Sequence, residues 1–213
     1  LKKGSKIIVT EKKTKKIKKG ILYINTKNIR KLLAEVSFKI YKKKPKNLIA
    51  VTGTNGKSSI VNFYNQILKL NNKAVASIGT LGVKSGKINL NLSNTTIDPL
   101  RLGQILQRLK NQKVDNVIME ASSHGLAQNR LDGLKFNTGI FTNFSLDHLD
   151  YHKNLTNYLN AKLYLFKKLI KSGGKIITDS KIPEFKKIKK IALKKKLKLI
   201  SLNNKSDNLK ILS

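Results

Sequence analysis

A strand, a glycine-rich turn and a helix follow one another within residues 47–59, Asn-Leu-Ile-Ala-Val-Thr-Gly-Thr-Asn-Gly-Lys-Ser-Ser. The apolar run Leu48 to Val51 is typical of a buried strand, and Gly53 and Gly56 permit the backbone angles of a tight turn. A strand that enters a helix through such a turn is the repeating unit of an α/β fold with a parallel sheet. This stretch therefore predicts the core around which the rest of the chain is built.

The same turn has the composition of a phosphate-binding loop. Free N–H groups at the start of a helix favour an anion, Lys57 can reach β- and γ-phosphates, and the Ser58 hydroxyl can ligate Mg²⁺. Only the G-K-S end matches the usual pattern, because Val51 stands where that pattern has its first glycine. ATP is the expected ligand.

The composition limits the other classes of function. The 213 residues contain no cysteine, which excludes disulfides and thiolate metal sites, and no apolar run approaches the ~20 residues of a membrane span. We expect a cytoplasmic, monomeric protein without a membrane partner. The net charge of +34 keeps a basic nucleic-acid-binding module as an alternative, but the lysines are spread over the whole chain and no nucleic-acid-binding motif accompanies them.

Apolar periodicity predicts alternating strands and helices along the chain. Strands are expected at 7–9, 21–24, 48–51, 74–78, 115–119, 138–141, 176–177 and 197–202. Helices are expected at 28–41, 57–70, 154–171 and 185–193, and a further helix is expected to begin at 98. A turn or short helix is expected within 121–133. This order predicts an α/β fold with a mainly parallel sheet flanked by helices. The helix at 28–41 and residues 42–46 are interpreted as a linker into the nucleotide domain.

Polar side chains follow three of these strands. Lys57, Glu120 and the segment 143–152 each lie just beyond a strand's carboxyl end, where ligands bind in parallel sheets. Glu120 has the position of a carboxylate that holds Mg²⁺. His148 is either a metal ligand or a hydrogen-bonding loop residue.

Lys162 interrupts the apolar stripe of the 154–171 helix. The stripe is expected to comprise Leu155, Tyr158, Leu159, Phe166, Leu169 and Ile170, and Lys162 lies on the same face. Its amine either extends to solvent or has a pKa lowered by burial and takes part in chemistry.

Four motifs in this order resemble the Mur ligase family, and within it the MurE type, over residues 28–213. They are Thr52-Gly-Thr-Asn-Gly-Lys-Ser-Ser59; Asn94-Thr-Thr96; Met119-Glu-Ala-Ser-Ser-His-Gly-Leu126 with Gln128 and Arg130; and Phe141-Thr-Asn-Phe-Ser-Leu-Asp-His-Leu-Asp-Tyr-His152 with Ala161-Lys162. One mild departure is Lys-Ser-Ser where the family usually has Lys-Thr-Thr. The resemblance implies an ATP-dependent amide ligase of peptidoglycan synthesis. Such a ligase adds a diamino acid, meso-diaminopimelate being favoured over L-lysine, to UDP-N-acetylmuramoyl-L-alanyl-D-glutamate through an acyl phosphate.

The resemblance also implies residue roles. ATP is held by Gly53, Thr54, Asn55, Gly56, Lys57, Ser58 and Ser59; the UDP-linked dipeptide by Asn94, Thr95, Thr96, Ser122, Gln128 and Arg130; Mg²⁺ by Ser58, Glu120, His148 and Lys162; and the catalytic residues are Lys57, Lys162 and His148. Lys162 matches a lysine that the family carbamylates.

The family organisation implies three domains. Residues 1–45 are expected to be the end of an N-terminal UDP-substrate domain plus linker, and 46–213 an incomplete central ATP-binding domain. The third domain is expected to be absent, so the fragment alone should not turn over. A relative of the folylpolyglutamate or cyanophycin type remains an alternative.

Overall fold

The computed structural model describes residues 4–18, 20–86, 88–92 and 94–202. The strands within this part are β1 (Ile7–Thr10), β2 (Ile17–Lys18), β3 (Ile21–Asn25), β4 (Asn47–Thr52), β5 (Val75–Gly79), β6 (Gly82–Ser85), β7 (Asn89–Leu90), β8 (Asn116–Glu120), β9 (Phe136–Phe141), β10 (Ile170–Asp179) and β11 (Lys198–Leu202). The helices are α1 (Ile29–Ile40), α2 (Lys57–Leu70), α3 (Pro99–Asn111), α4 (Ser123–Ala127), α5 (Leu149–His152), α6 (Leu155–Tyr164) and α7 (Phe185–Lys194). The predicted alternation of strands and helices is confirmed.

The strands form two sheets. β1, β3 and β2 make a small sheet, and the other eight are ordered β11-β10-β9-β4-β8-β5-β6-β7. The pairs from β11 to β5 are parallel, whereas β6 and β7 extend the edge as an antiparallel hairpin after Gly79. The mainly parallel sheet predicted from the sequence is therefore confirmed.

The phosphate-loop strand lies inside the large sheet. β4 pairs with β8 on one side and β9 on the other, and all three run parallel. Ala50 and Val51 are fully buried because helices cover both faces of such a sheet. The carboxyl ends of β4, β8 and β9 therefore meet at one edge.

Helix α3 matches its sequence signals. Its N-cap is Asp98, whose side chain accepts a hydrogen bond from the Arg101 backbone N–H, and Pro99 opens the first turn. The expected apolar stripe is buried, comprising Leu102, Ile105, Leu106 and Leu109. The stripe belongs to the same hydrophobic cluster as the strand residues Ala50 and Met119.

The helix predicted over 154–171 ends earlier than expected. α6 passes into a π-helical segment, Leu165–Leu169, and the chain then enters β10, so Ile170 and Lys171 are strand residues. Ile170 leaves the helix because its backbone pairs with Phe136 of β9. Leu155 was also predicted to be buried, but it is 43% exposed because it lies in the first turn beside the N-cap Asn154.

Helix α1 packs on the nucleotide-binding part of the chain. Ala34 and Phe38 are 0% and 2% exposed and belong to the main hydrophobic cluster. At its C-cap, Tyr41, the hydroxyl accepts a hydrogen bond from Gln104 Nε2 at 3.0 Å. The segment interpreted as a linker is thus in close contact with α3.

Candidate functional site

The loop after β4 has the geometry of an anion cradle. Gly53 has φ 150° and Gly56 has φ 81°, both in the region that favours glycine, and Gly56 is the N-cap of α2. A Cβ on Gly53 would collide with the Thr142 hydroxyl. Asn143 holds the loop, since its carbonyl accepts from Thr54 N at 3.0 Å and its Oδ1 accepts from Asn55 N at 2.9 Å.

Two lysines converge on this loop. Lys57 Nζ donates to the carbonyl oxygens of Gly53 and Thr54 at 3.0 and 2.7 Å, and Lys162 Nζ donates to the same Gly53 oxygen at 2.6 Å. Burial lowers the pKa of Lys57, while Glu120 and Asp147 oppose that shift. The site therefore concentrates positive charge beside the turn that would hold phosphates.

Lys162 is buried rather than extended to solvent. Its side chain is 1% exposed, and its amine lies 4.2 Å from the ring centroid of Tyr158. Burial, and next the charge of Lys57, lower the pKa of Lys162 to about 7. A substantial share of this amine is thus neutral at physiological pH.

Glu120 is a buried carboxylate at the end of β8. It is 2% exposed, and its oxygens accept from Thr80 N at 2.8 Å and from Thr80 Oγ1 at 3.3 Å. None of the ion pairs found in the described part of the chain includes it. Buried charges are normally paired or coordinate metals, so this carboxylate suits a cation.

A polar wall lies beside Glu120 and consists of Asn94, Thr95, Thr96, Ser122, Gln128 and Arg130. Thr96 Oγ1 donates to the Glu120 carbonyl at 3.1 Å and lies 3.0 Å from Ser122 Oγ, which accepts from Gly125 N at 3.1 Å. Arg130 donates to the Thr96 carbonyl and to Gln128 Oε1. The wall therefore presents hydroxyl, amide and guanidinium groups, which are suited to a polar, anionic substrate.

The three histidines are neighbours. The His124 ring centroid lies 4.9 Å from that of His148 and 5.4 Å from that of His152. Burial is the first cause that lowers the pKa of His124 and of His152. His148 Nε2 lies 3.4 Å from Asp147 Oδ2. His152 is 6% exposed and its Nε2 has no hydrogen-bond partner.

Most of these groups, but not His152, surround one cavity of about 370 Å³. The residues singled out from the sequence that line it are Lys57, Ser58, Asn94, Thr95, Thr96, Glu120, Ser122, Gln128, Arg130, His148 and Lys162. The others, Gly53, Thr54, Asn55, Gly56 and Ser59, form the adjoining turn and helix start and are not part of the lining.

Sequence reasoning gave no role to three residues of this cavity. Thr80, Ser123 and His124 also line it. Thr80 follows Gly79 at the carboxyl end of β5, so the rule that located Glu120 would also have located Thr80. A lone threonine lacks the charge that drew attention to the other positions.

The donor set fits Mg²⁺ better than a metal held by protein ligands alone. Across residues 4–18, 20–86, 88–92 and 94–202, no group of three or more His, Cys, Asp or Glu side chains is arranged to hold a metal ion. Mg²⁺ commonly uses one or two carboxylates together with substrate phosphates and water. Ser58 and Glu120 line the same cavity and would be its protein ligands.

A family model places the chain in a known class. The model of the Mur ligase middle domain matches residues 51–212, so the chain belongs to the Mur ligase family.

Relatives within that family are diaminopimelate ligases. UDP-N-acetylmuramoyl-L-alanyl-D-glutamate–2,6-diaminopimelate ligase of Rickettsia bellii is 44% identical over 204 residues, covering 94% of this chain and 42% of that protein. The enzyme of the same name from Brucella melitensis is 40% identical over 176 residues, covering 83% and 36%. The chain thus spans less than half the length of these relatives.

Solved structures agree with this placement. A structure of UDP-N-acetylmuramoyl-L-alanyl-D-glutamate–2,6-diaminopimelate ligase superposes with a TM-score of 0.75 at 29% identity, covering 87% of this chain and 39% of that one. E. coli FolC in complex with DHPP and ADP superposes with a TM-score of 0.60 at 19% identity, covering 81% of this chain and 46% of that one, which is a likeness of fold alone.

Within the part of the chain that the structure describes, none of the helices has the length and apolar character that a membrane span requires.

Proposed function

We propose that the chain is part of an ATP-dependent ligase that adds meso-diaminopimelate to UDP-N-acetylmuramoyl-L-alanyl-D-glutamate in peptidoglycan synthesis. The observation that carries the proposal is the single cavity shared by the phosphate-loop residues Lys57 and Ser58, the buried Glu120, and the polar wall. The names of the similar ligases supply the substrates and favour diaminopimelate over L-lysine. Because ATP and UDP-linked precursors are intracellular metabolites, the proposal keeps the cytoplasmic location expected from the sequence. The monomeric state stays a prediction.

The proposed reaction needs electrostatic help at this cavity. ATP would donate its γ-phosphoryl group to the D-Glu γ-carboxylate, and the amine of the diamino acid would then displace phosphate to form an amide. Lys57 would lie beside the transferred group and reduce the repulsion between two anions. Ser58 and Glu120 would hold Mg²⁺, with His148 and Lys162 at a second ion.

The polar wall would hold the UDP-linked dipeptide. Its members Asn94, Thr95, Thr96, Ser122, Gln128 and Arg130 line the cavity. The Arg130 guanidinium is fixed by Gln128 Oε1, which accepts from Arg130 Nε and Nη2 at 3.0 and 2.7 Å. A fixed guanidinium is suited to binding a substrate carboxylate.

We further propose that Lys162 is carbamylated. The neutral amine would add to CO₂ and lose one proton, giving a carbamate anion. Lys57 now lowers the pKa of Lys162 through like charge, and after carbamylation the same two side chains would attract each other. The carbamate would also offer oxygen ligands to Mg²⁺.

Nucleotide binding to the 213-residue chain is the first test. We expect Mg²⁺-dependent binding of a fluorescent ATP analogue, lost in Gly53→Ala because a Cβ there strikes Thr142. Gly86→Ala is the matched control, since a Cβ at Gly86 meets no atom within 4 Å. Equal binding by both variants would contradict the proposed nucleotide site.

Turnover in the full-length gene product tests the substrates. We expect ADP release that requires the UDP-linked dipeptide and is stimulated by diaminopimelate, and loss of activity in Lys162→Ala with partial recovery on adding a short-chain carboxylate. ADP release stimulated only by a folate or by L-lysine would show that another ligase type is correct.

A further inference from the structure

Thr80 makes two contacts with one carboxylate. Its backbone N–H donates to Glu120 Oε1 at 2.8 Å and its hydroxyl to Glu120 Oε2 at 3.3 Å. A residue that contacts both oxygens of a carboxylate fixes the plane of that carboxylate as well as its position. Both residues line the cavity.

The neighbouring residue leaves room for this arrangement. A Cβ on Gly79 would strike the Glu120 carboxyl group. Glu120 can therefore lie against the end of β5 only because position 79 is glycine. The missing Cβ of Gly79 leaves space for the Glu120 carboxylate, and the two hydrogen bonds from Thr80 fix its orientation.

The Thr80 hydroxyl also joins Glu120 to the polar wall. Thr80 Oγ1 lies 3.0 Å from Thr95 Oγ1. A hydroxyl has a single hydrogen, and the Thr80 hydroxyl donates it to Glu120, so Thr80 accepts from Thr95. The three side chains form a directed chain from the expected dipeptide site to the expected metal ligand.

We propose that Thr80 is a positioning residue for the Mg²⁺ site: it holds the Glu120 carboxylate in the orientation that binds the ion and connects it to Thr95. This inference rests on the proposed function, because it assigns Glu120 to a nucleotide-bound Mg²⁺. Residues that hydrogen-bond a metal-ligating carboxylate affect metal affinity without contacting the ion.

Mg²⁺ titration of nucleotide binding by the 213-residue chain tests the proposal. Thr80→Val removes the hydroxyl and keeps the shape and the backbone N–H, Thr80→Ala removes the hydroxyl from a smaller side chain, and Thr80→Ser restores it. We expect the Mg²⁺ concentration at half-maximal binding to rise about 10-fold in Thr80→Val and Thr80→Ala and to return towards the wild-type value in Thr80→Ser.

Thr178→Val is the matched control. Thr178 is 1% exposed, its hydroxyl donates to the Phe141 carbonyl at 3.0 Å, and it does not line the cavity. Thr178→Val therefore loses a hydrogen bond that a threonine hydroxyl donates, as Thr80→Val does, but with no expected change in Mg²⁺ requirement. Thermal unfolding of all variants separates a binding defect from misfolding, and Thr80→Ala is used if Thr80→Val does not fold.

The remaining outcomes are decisive. An unchanged Mg²⁺ requirement in the hydroxyl-free variants, or a loss of nucleotide affinity that is the same with and without Mg²⁺, would overturn the positioning role while leaving the proposed function intact. A wild-type chain that binds no nucleotide at any Mg²⁺ concentration would instead overturn the proposed function, and this inference with it.

Discussion

Lys57 and Lys162 bring two amines to the same oxygen atom, the carbonyl of Gly53, at 3.0 and 2.6 Å. Two protonated amines at one acceptor repel each other, and burial adds a desolvation cost for each. Neutralising Lys162 relieves both effects, which explains why its pKa falls to about 7. Asp147 raises the pKa of both lysines, whereas Glu120 acts on Lys57. In the sequence, the position of Lys162 on an apolar helix face was the feature that raised the alternative of an amine with a lowered pKa.

Carbamylation of Lys162 should depend on pH in a defined window. With a pKa of about 7, the neutral amine that reacts with CO₂ rises from about 10% at pH 6 to about 90% at pH 8. We expect a carbamate signal in ¹³C NMR with labelled bicarbonate that grows over this range.

Lys162→Arg should remove that carbamate signal. Lys168→Arg is the control, because Lys168 is an exposed lysine of the π-helical segment that follows α6. A signal that persists in Lys162→Arg would assign the carbamate to another amine.

At the scale of elements, the sequence predicted the order of strands and helices because apolar spacing decides which face of an element is buried. The sequence also predicted that charged residues at strand ends, such as Lys57 and Glu120, lie in one crevice, because the carboxyl ends of parallel strands meet at one edge of the sheet. It failed where tertiary pairing overrides helical spacing, as at Ile170, and at Thr80, whose role depends on a neighbour 40 residues away.

Helix α1 provides an element-scale prediction. Phe38→Ala should lower the free energy of unfolding by about 3–5 kcal/mol, because Phe38 is 2% exposed in the main cluster. Leu33→Ala on the same helix should change it by only about 0.5 kcal/mol, because Leu33 is 53% exposed. Urea unfolding measures both.

Equal, small effects in the two α1 variants would show that this helix contributes little to the stability of the nucleotide-binding unit. It would then be a linker in the energetic sense, as the sequence interpretation held. A large loss in Phe38→Ala alone would make α1 part of that unit.

For the whole molecule, charge is the dominant property. The chain has 45 Lys and Arg against 11 Asp and Glu. The ion pairs of lysine or arginine in the described ranges are Lys31 with Glu35 and with Asp132, and Lys110 with Asp115. Most cationic side chains in the described ranges therefore belong to none of these ion pairs, which favours binding of any polyanion at low salt.

Binding to DNA should be weak and strongly salt-dependent. If the charge acts only as a diffuse surface property, affinity for a labelled duplex should fall on the order of 10³-fold between about 50 and 200 mM salt, as release of counterions from several phosphates requires. Lys57→Ala should leave this binding unchanged, since one partly buried lysine among 45 cationic residues adds little to a diffuse field. Fluorescence anisotropy across a salt series measures both the affinity and its slope. Tight binding that survives near 150 mM salt and is unaffected by Lys57→Ala would instead favour a nucleic-acid-binding module, because a diffuse field is screened beyond about 8 Å at that ionic strength.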